Sequence, residues 1–102
     1  RYTASDKLKN FPAEKSEAIL KFFTTDRFKE DKQRIESVFG DLCGKLNSID
    51  RTDGVRLTFV NQEVIHLRPS GNAPELRCYA EADNFNVAKL SVEQALTAIS
   101  KL

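Results

Sequence analysis

The strongest constraint in this chain is a polar loop held between two apolar segments of different pattern. Val64-Ile65-His66-Leu67 is short, rich in β-branched residues and bounded by turn residues, as a buried strand is. Leu76-Arg77-Cys78-Tyr79-Ala80-Glu81-Ala82 alternates instead. Leu76, Cys78, Ala80 and Ala82 fall on one face and Arg77, Tyr79 and Glu81 on the other, so this strand is half buried. Between them Pro69 and Pro74 fix their own φ and lack an N–H, while Gly71 can adopt a positive φ and let another group approach the backbone. The chain has to build a sheet around this loop.

Such a loop can aim successive backbone N–H groups at one point, and an arginine and a hydroxyl beside those amides suit a phosphate. A guanidinium fork satisfies two phosphate oxygens at once, leaving others for the hydroxyl and the amides. The candidates are Arg68, Ser70, Gly71 and Asn72. The residues by themselves leave a second reading open, an ordinary hairpin connection with Arg68 in solvent. His66 and Arg77, on the flanking strands, are read as structural residues rather than ligand contacts.

Composition narrows the function classes. A length of 102 residues supports one domain with a single core. Sixteen Lys and Arg against fifteen Asp and Glu leave a net charge of +1, which argues against a nucleic-acid or other polyanion binder. Cys43 and Cys78 have neither C-x-x-C spacing nor a nearby His, and the acidic residues form no metal-ligand cluster, so no metal site is expected. Two thiols in an otherwise unstapled domain lead us to expect a reducing cytoplasm. There is no long apolar run or signal-peptide pattern, hence no expectation of a membrane. Arg1 in place of an initiator Met suits a piece of a longer protein.

Taken in order, Arg1 to Asn10 show neither helical nor alternating pattern. Residues 1–12 are read as a linker or hinge arm and 13–102 as the domain. A helix is expected over about 13–23, with Pro12 at its start, Glu14 in its first turn and Ile19, Phe22 and Phe23 inward. Thr24-Thr25-Asp26 interrupts it. From Arg27 to about Phe39 a second helix carries Phe28, Ile35, Val38, Phe39 and Leu42 on one face; Gly40 and Gly44 mark its end, with continuation to Cys43 open. Residues 47–53 form the first expected strand, Asp53-Gly54 a turn, and Val55–Phe59 a strand with Val55, Leu57 and Phe59 on the core side. A hairpin through Asn61-Gln62 follows. A strict two-residue turn would pair Phe59 with Val64 and send Ile65 and Leu67 to the other face, but that strand is apolar on both sides and leaves its register open. The last helix spans about 87–101, its stripe being Ala88, Val92, Ala95, Leu96, Ile99 and Leu102. The fold class is α+β: an antiparallel sheet of about four strands with helices packed on one side.

Arg68-Pro69-Ser70-Gly71-Asn72-Ala73-Pro74, with the run Glu75 to Ala82, resembles the phosphate-binding loop and next strand of the α-D-phosphohexomutase family. There the family commonly reads Arg-Pro-Ser-Gly-Thr-Glu-Pro. Thr52 to Phe59 is similar to the Asp-Gly-Val-Arg strand opening of these enzymes, and Arg1 to Asp6 to the connector into their last domain. Three segments in the right order span most of the chain. The resemblance implies the C-terminal domain of a phosphomannomutase or phosphoglucomutase, with the fold of the TATA-binding-protein saddle. That shared shape implies no DNA binding. Phosphoglucosamine mutase is the alternative within the family, and a non-enzymatic protein-interaction module using the sheet or the Phe28/Ile35/Phe39 helix is the alternative outside it.

What the resemblance implies about mechanism lies mostly beyond these residues. A phosphoserine in the first domain of such enzymes passes its phosphoryl group to a hexose phosphate, Mg²⁺ in the second domain stabilises the charge in flight, and the bisphosphate turns around. No serine here matches the nucleophile context, so this chain supplies no catalytic residue and is expected to be inactive alone. Its implied role is to grip the phosphate that is not transferred, with Arg68 bidentate, Ser70 through its hydroxyl, and Gly71 and Asn72 through their amides. Asn72 stands where the family usually has Thr and Ala73 where Glu is frequent, which blurs the choice among mannose, glucose and glucosamine phosphates. The family has one helix before the strand pair and this chain offers two, so the first belongs to the hinge or the second replaces a loop.

Overall fold

The computed structural model describes all residues, Arg1–Leu102. The elements run β1 (Tyr2–Leu8), α1 (Ala13–Phe23), α2 (Phe28–Cys43), β2 (Leu46–Asp50), β3 (Val55–Phe59), β4 (Val64–Pro69), β5 (Leu76–Ala82) and α3 (Phe85–Ser100). The strands form one antiparallel sheet in the order β1-β5-β4-β3-β2, with the three helices on one side. The class is α+β, with five strands where about four were expected.

The additional strand is β1, in the stretch read from the sequence as an arm. Tyr2–Leu8 pairs with β5 along its whole length, from Tyr2 opposite Ala82 to Leu8 opposite Leu76. Its pattern was hidden because it lies at an edge, where neither face is fully covered and charged side chains blunt further pairing. Only Ala4 and Leu8 are even half-buried.

Alternation in the middle strands decides which face the helices cover. Val55 pairs with Leu67, Leu57 with Ile65, Ile65 with Ala80 and Leu67 with Cys78, so these side chains share one face. All are buried, and with Ile35, Phe39, Phe23, Val92 and Ile99 from the helices they form the core. The register left open is settled by a three-residue turn. Gln62 N donates to Phe59 O at 2.8 Å, Phe59 N to Glu63 O at 2.9 Å, and Gln62 takes a φ of 72°. This is a three-residue hairpin loop, Val60 to Gln62, closed by a left-handed residue. One residue more than the strict turn returns Ile65 and Leu67 to the core face.

Both early helices pack in this domain: α1 contacts β4 and α2, and Ile19 and Phe23 are buried. Phe22 is not inward; it is 41% exposed, edge-on to Phe23 and beneath the Arg34 guanidinium. One helical step of about 100° separates it from the Ile19/Phe23 stripe. The second helix runs on to Cys43 and stops at Gly44, whose φ is 79°. The corner between α1 and α2 is tied by buried Asp31, which accepts from Thr25 N at 2.8 Å, Thr25 Oγ1 at 2.6 Å and Arg34 Nη1 at 3.0 Å. Burial pushes its carboxyl up, but these hydrogen bonds outweigh that and hold it below its ordinary value. Asn84 caps α3 by accepting from Asn86 N and Val87 N. Ala88, Val92, Ala95, Leu96 and Ile99 are buried as expected, whereas Leu102 lies past the helix end and is exposed.

Candidate functional site

The side chains that the alternation turns away from the core make the second face of the sheet: Arg56 and Thr58 on β3, His66 and Arg68 on β4, and Arg77, Tyr79 and Glu81 on β5. They are polar and linked to one another. Arg56 Nη2 lies 3.0 Å from Glu81 Oε2, and the rings of His66 and Tyr79 are 5.9 Å apart.

At one end of this face the strands β4 and β5 run into the loop from Ser70 to Glu75. The ladder ends with Arg68 opposite Arg77 and Pro69 opposite Leu76, and Ser70 N then donates to Glu75 O at 3.0 Å. Ser70 Oγ accepts from Asn72 N and Ala73 N, each at 3.3 Å, a local hydroxyl turn that folds the loop back on itself. Arg68, Pro69, Ser70, Gly71, Asn72 and Arg77 line a shallow cavity of about 130 Å³. That is roughly four times the volume of a water molecule in the liquid, enough for a small tetrahedral anion.

The structure thus brings Arg68, Ser70, Gly71 and Asn72 to one cavity, with differences in detail. Gly71 does not use a positive φ, and nothing lies within 4 Å of where a Cβ would stand. Neither backbone strain nor packing explains this glycine, which leaves open space beside its main chain. The Asn72 amide is not free, since it donates to Ser70, and an incoming anion would compete with that long bond.

Arg68 is held from behind. Asp53 Oδ2 lies 3.1 Å from Arg68 Nε, both side chains being well exposed, and His66 Nε2 donates to Asp53 O at 2.6 Å. Gly54 makes this arrangement possible. Its φ is 67°, and a Cβ there would lie 2.2 Å from Leu67 O and 3.2 Å from Arg68 Cγ, so only glycine lets the β2–β3 turn rest against β4. An exposed ion pair of this kind stabilises by less than about 1 kcal/mol, and its consequence is orientation of the guanidinium.

Arg77, read from the sequence as structural, lines the same cavity. The signal was the spacing. Arg68 stands two residues before the start of the closing pair Ser70/Glu75 and Arg77 two residues after its end, so an in-register hairpin must place them opposite each other. His66 is set against Asp53 O and the Tyr79 ring.

Other chemistry finds no footing nearby. Cys43 and Cys78 are buried and unpaired by disulfide, and burial pushes both thiols up to about 12, which leaves them protonated and poorly nucleophilic. Nowhere do three or more His, Cys, Asp or Glu side chains gather in a way that could hold a metal ion. No helix is long and apolar enough to cross a membrane.

Comparison with known proteins bears on the chain as a whole. The family described as "Phosphoglucomutase/phosphomannomutase, C-terminal domain" matches residues 4–97, from the edge strand to the last helix. The chain belongs to that family. A phosphomannomutase of Salmonella muenchen is 43% identical over 103 aligned positions covering all of this chain, and one of Sinorhizobium fredii is 38% identical over 96, covering 94%. The chain spans only about a fifth of the length of either relative, 20% and 19% respectively. A phosphohexomutase C-terminal domain is therefore one part of a larger architecture, and most of its edge strand β1, from Ala4 to Leu8, lies inside the matched region.

Proposed function

We propose that this domain supplies the phosphate grip of a phosphomannomutase or phosphoglucomutase, holding the phosphate that is not being transferred while hexose 6-phosphate and hexose 1-phosphate interconvert through a bisphosphate. The observation that carries the reading is the cavity at the β4–β5 loop, where Arg68, Ser70, Gly71 and Asn72 meet on the open face of the sheet. Arg68 offers a fork for two oxygens, the Ser70 hydroxyl can turn outward to a third, and the Gly71 amide adds a donor. Positioning is a large part of catalysis in phosphoryl transfer, so a residue that only orients substrate can change the rate greatly.

The same loop has to accept both ends of the bisphosphate in turn, so it reads phosphate rather than the hydroxyl pattern of the sugar. Sugar choice then falls to other domains, and phosphoglucosamine mutase remains the alternative parent. The nucleophilic serine and the carboxylates for Mg²⁺ would belong to residues outside this chain, which alone would be inactive. In this reading the opening residues have two duties, connecting to the preceding domain and closing the sheet edge as β1, in a protein of the reducing cytoplasm. A protein-interaction module built on the α2 face has less support, because Ile35 and Phe39 are fully buried in the domain's own core.

The test is Arg68→Ala in the whole enzyme. Loss of a charge-assisted contact to substrate predicts a fall in kcat/KM of about 100-fold with an unchanged unfolding midpoint. Normal turnover, or an unfolded domain, would refute it.

A further inference from the structure

We propose that Asp53 is a positioning residue for phosphate binding, held in place by His66, and that its carboxylate strengthens the grip although it carries the same sign of charge as the ligand. This rests on the reading of the loop as a phosphate grip, and adds to it the β2–β3 turn, which lies outside the loop. The turn meets β4 at three successive residues. His66 Nε2 donates to Asp53 O at 2.6 Å, Gly54 rests against Leu67 O and Arg68 Cγ, and Asp53 Oδ2 stands 3.1 Å from Arg68 Nε. An Asp before Gly ordinarily serves its own turn by accepting from the backbone N–H two residues on. Here that duty falls to Asp50, which accepts from Thr52 N at 2.8 Å, and the Asp53 carboxylate is left for β4.

A carboxylate beside an anion site has two opposed effects. It repels the phosphate, but the Asp53 side chain is 64% exposed, so water and salt screen that repulsion. It also restrains a long side chain. An arginine free in solvent has its rotamer freedom still to lose when an anion binds, whereas one already restrained loses less at that moment. The edge that Asp53 takes matters too. A guanidinium offers five N–H donors, and engaging it at Nε leaves the two terminal nitrogens for two oxygens of a phosphate. The Gly54 main chain walls the stem of the same side chain near Cγ, so Arg68 is constrained at both ends while it lines the loop cavity. Restraint outweighs repulsion.

The experiment follows backbone amide shifts of this 102-residue chain, together with the Arg68 Nε–H resonance, during titration with mannose 6-phosphate. In Asp53→Ala the phosphate affinity should fall about threefold, the scale of an exposed ion pair, with the unfolding midpoint nearly unchanged. The Arg68 Nε–H resonance of the ligand-free chain should move in the same variant. Asp53→Asn, which keeps an oxygen for Nε, should recover part of the affinity. His66→Phe keeps a ring beside Tyr79 but lacks the donor, and should weaken binding in the same direction. Unchanged or tighter binding in a folded Asp53→Ala, with binding lost in Arg68→Ala, would overturn the positioning role and leave the grip intact. Unchanged affinity in a folded His66→Phe would overturn the part given to His66. No response of the wild-type loop to the phosphate would overturn the grip itself, and this proposal with it.

Discussion

Strand β4 is entered and left through two hairpin connections, and they are made very differently. The first, Val60-Asn61-Gln62, uses three residues, one of them in the left-handed region; Gln62 N closes the turn onto Phe59 O and Val60 N donates across to Lys45 O. The second, from Ser70 to Glu75, uses more residues than closure needs, stiffens itself with Pro74 and Ser70, and faces a cavity flanked by two arginines. Both join neighbouring antiparallel strands. A connection that closes economically is explained by its own hydrogen bonds; the second has residues left over, two of which, Gly71 and Asn72, line a cavity beside the strand arginines. The surplus is where function is to be sought.

The largest effect should come from removing what supports the second connection. Gly54→Ala forces a Cβ to within 2.2 Å of Leu67 O at a positive φ and should cost about 3 kcal/mol of stability, measured by urea unfolding. It should also release Asp53 from Arg68.

Next in size is a carboxylate that only closes. Asp31→Ala removes the acceptor for three hydrogen bonds at the α1–α2 corner and should cost about 2 kcal/mol near neutral pH. The folded-state value of Asp31 lies below its ordinary 3.8, so its contribution is fully present above about pH 4 and is lost as pH falls through the lowered value. The difference between wild type and variant should narrow in acid. Asp53→Ala, by contrast, should change stability by less than about 0.5 kcal/mol, because its partner is exposed.

The smallest effects separate the two connections most cleanly. Gln62→Gly relieves a left-handed non-glycine residue and should stabilise by roughly 0.5–1 kcal/mol without touching phosphate binding. Gly71→Ala should leave stability within about 0.5 kcal/mol, since a Cβ there meets nothing, yet weaken phosphate binding if the open main chain is what the anion approaches.

The contrast also explains what could be read in advance. The alternation of Val55–Phe59 and Leu76–Ala82 located the core face, because a side chain buried under a helix has to be apolar. The loop was conspicuous for its Pro, Ser, Gly and Asn, and the resemblance it carries pointed to the family that now matches residues 4–97. Strand β1 was invisible, since an edge strand with two partly wet faces has no apolar period. The register of β4 was undetermined because Val64 and Ile65 are both buried, one on each face. The place of Arg77 beside the loop cavity was hidden for a related reason: it depends on what stands across the ladder, and cross-strand partners follow only from a fixed register.

Mapping the response of this chain to mannose 6-phosphate tests the central claim most directly, because both connections are observed in one amide spectrum. Shifts concentrated at residues 68–73, with 59–63 unmoved and saturation in the millimolar range expected of one phosphate pocket without the rest of a cleft, are the predicted result. Equal movement at both connections, or none at either, would contradict it.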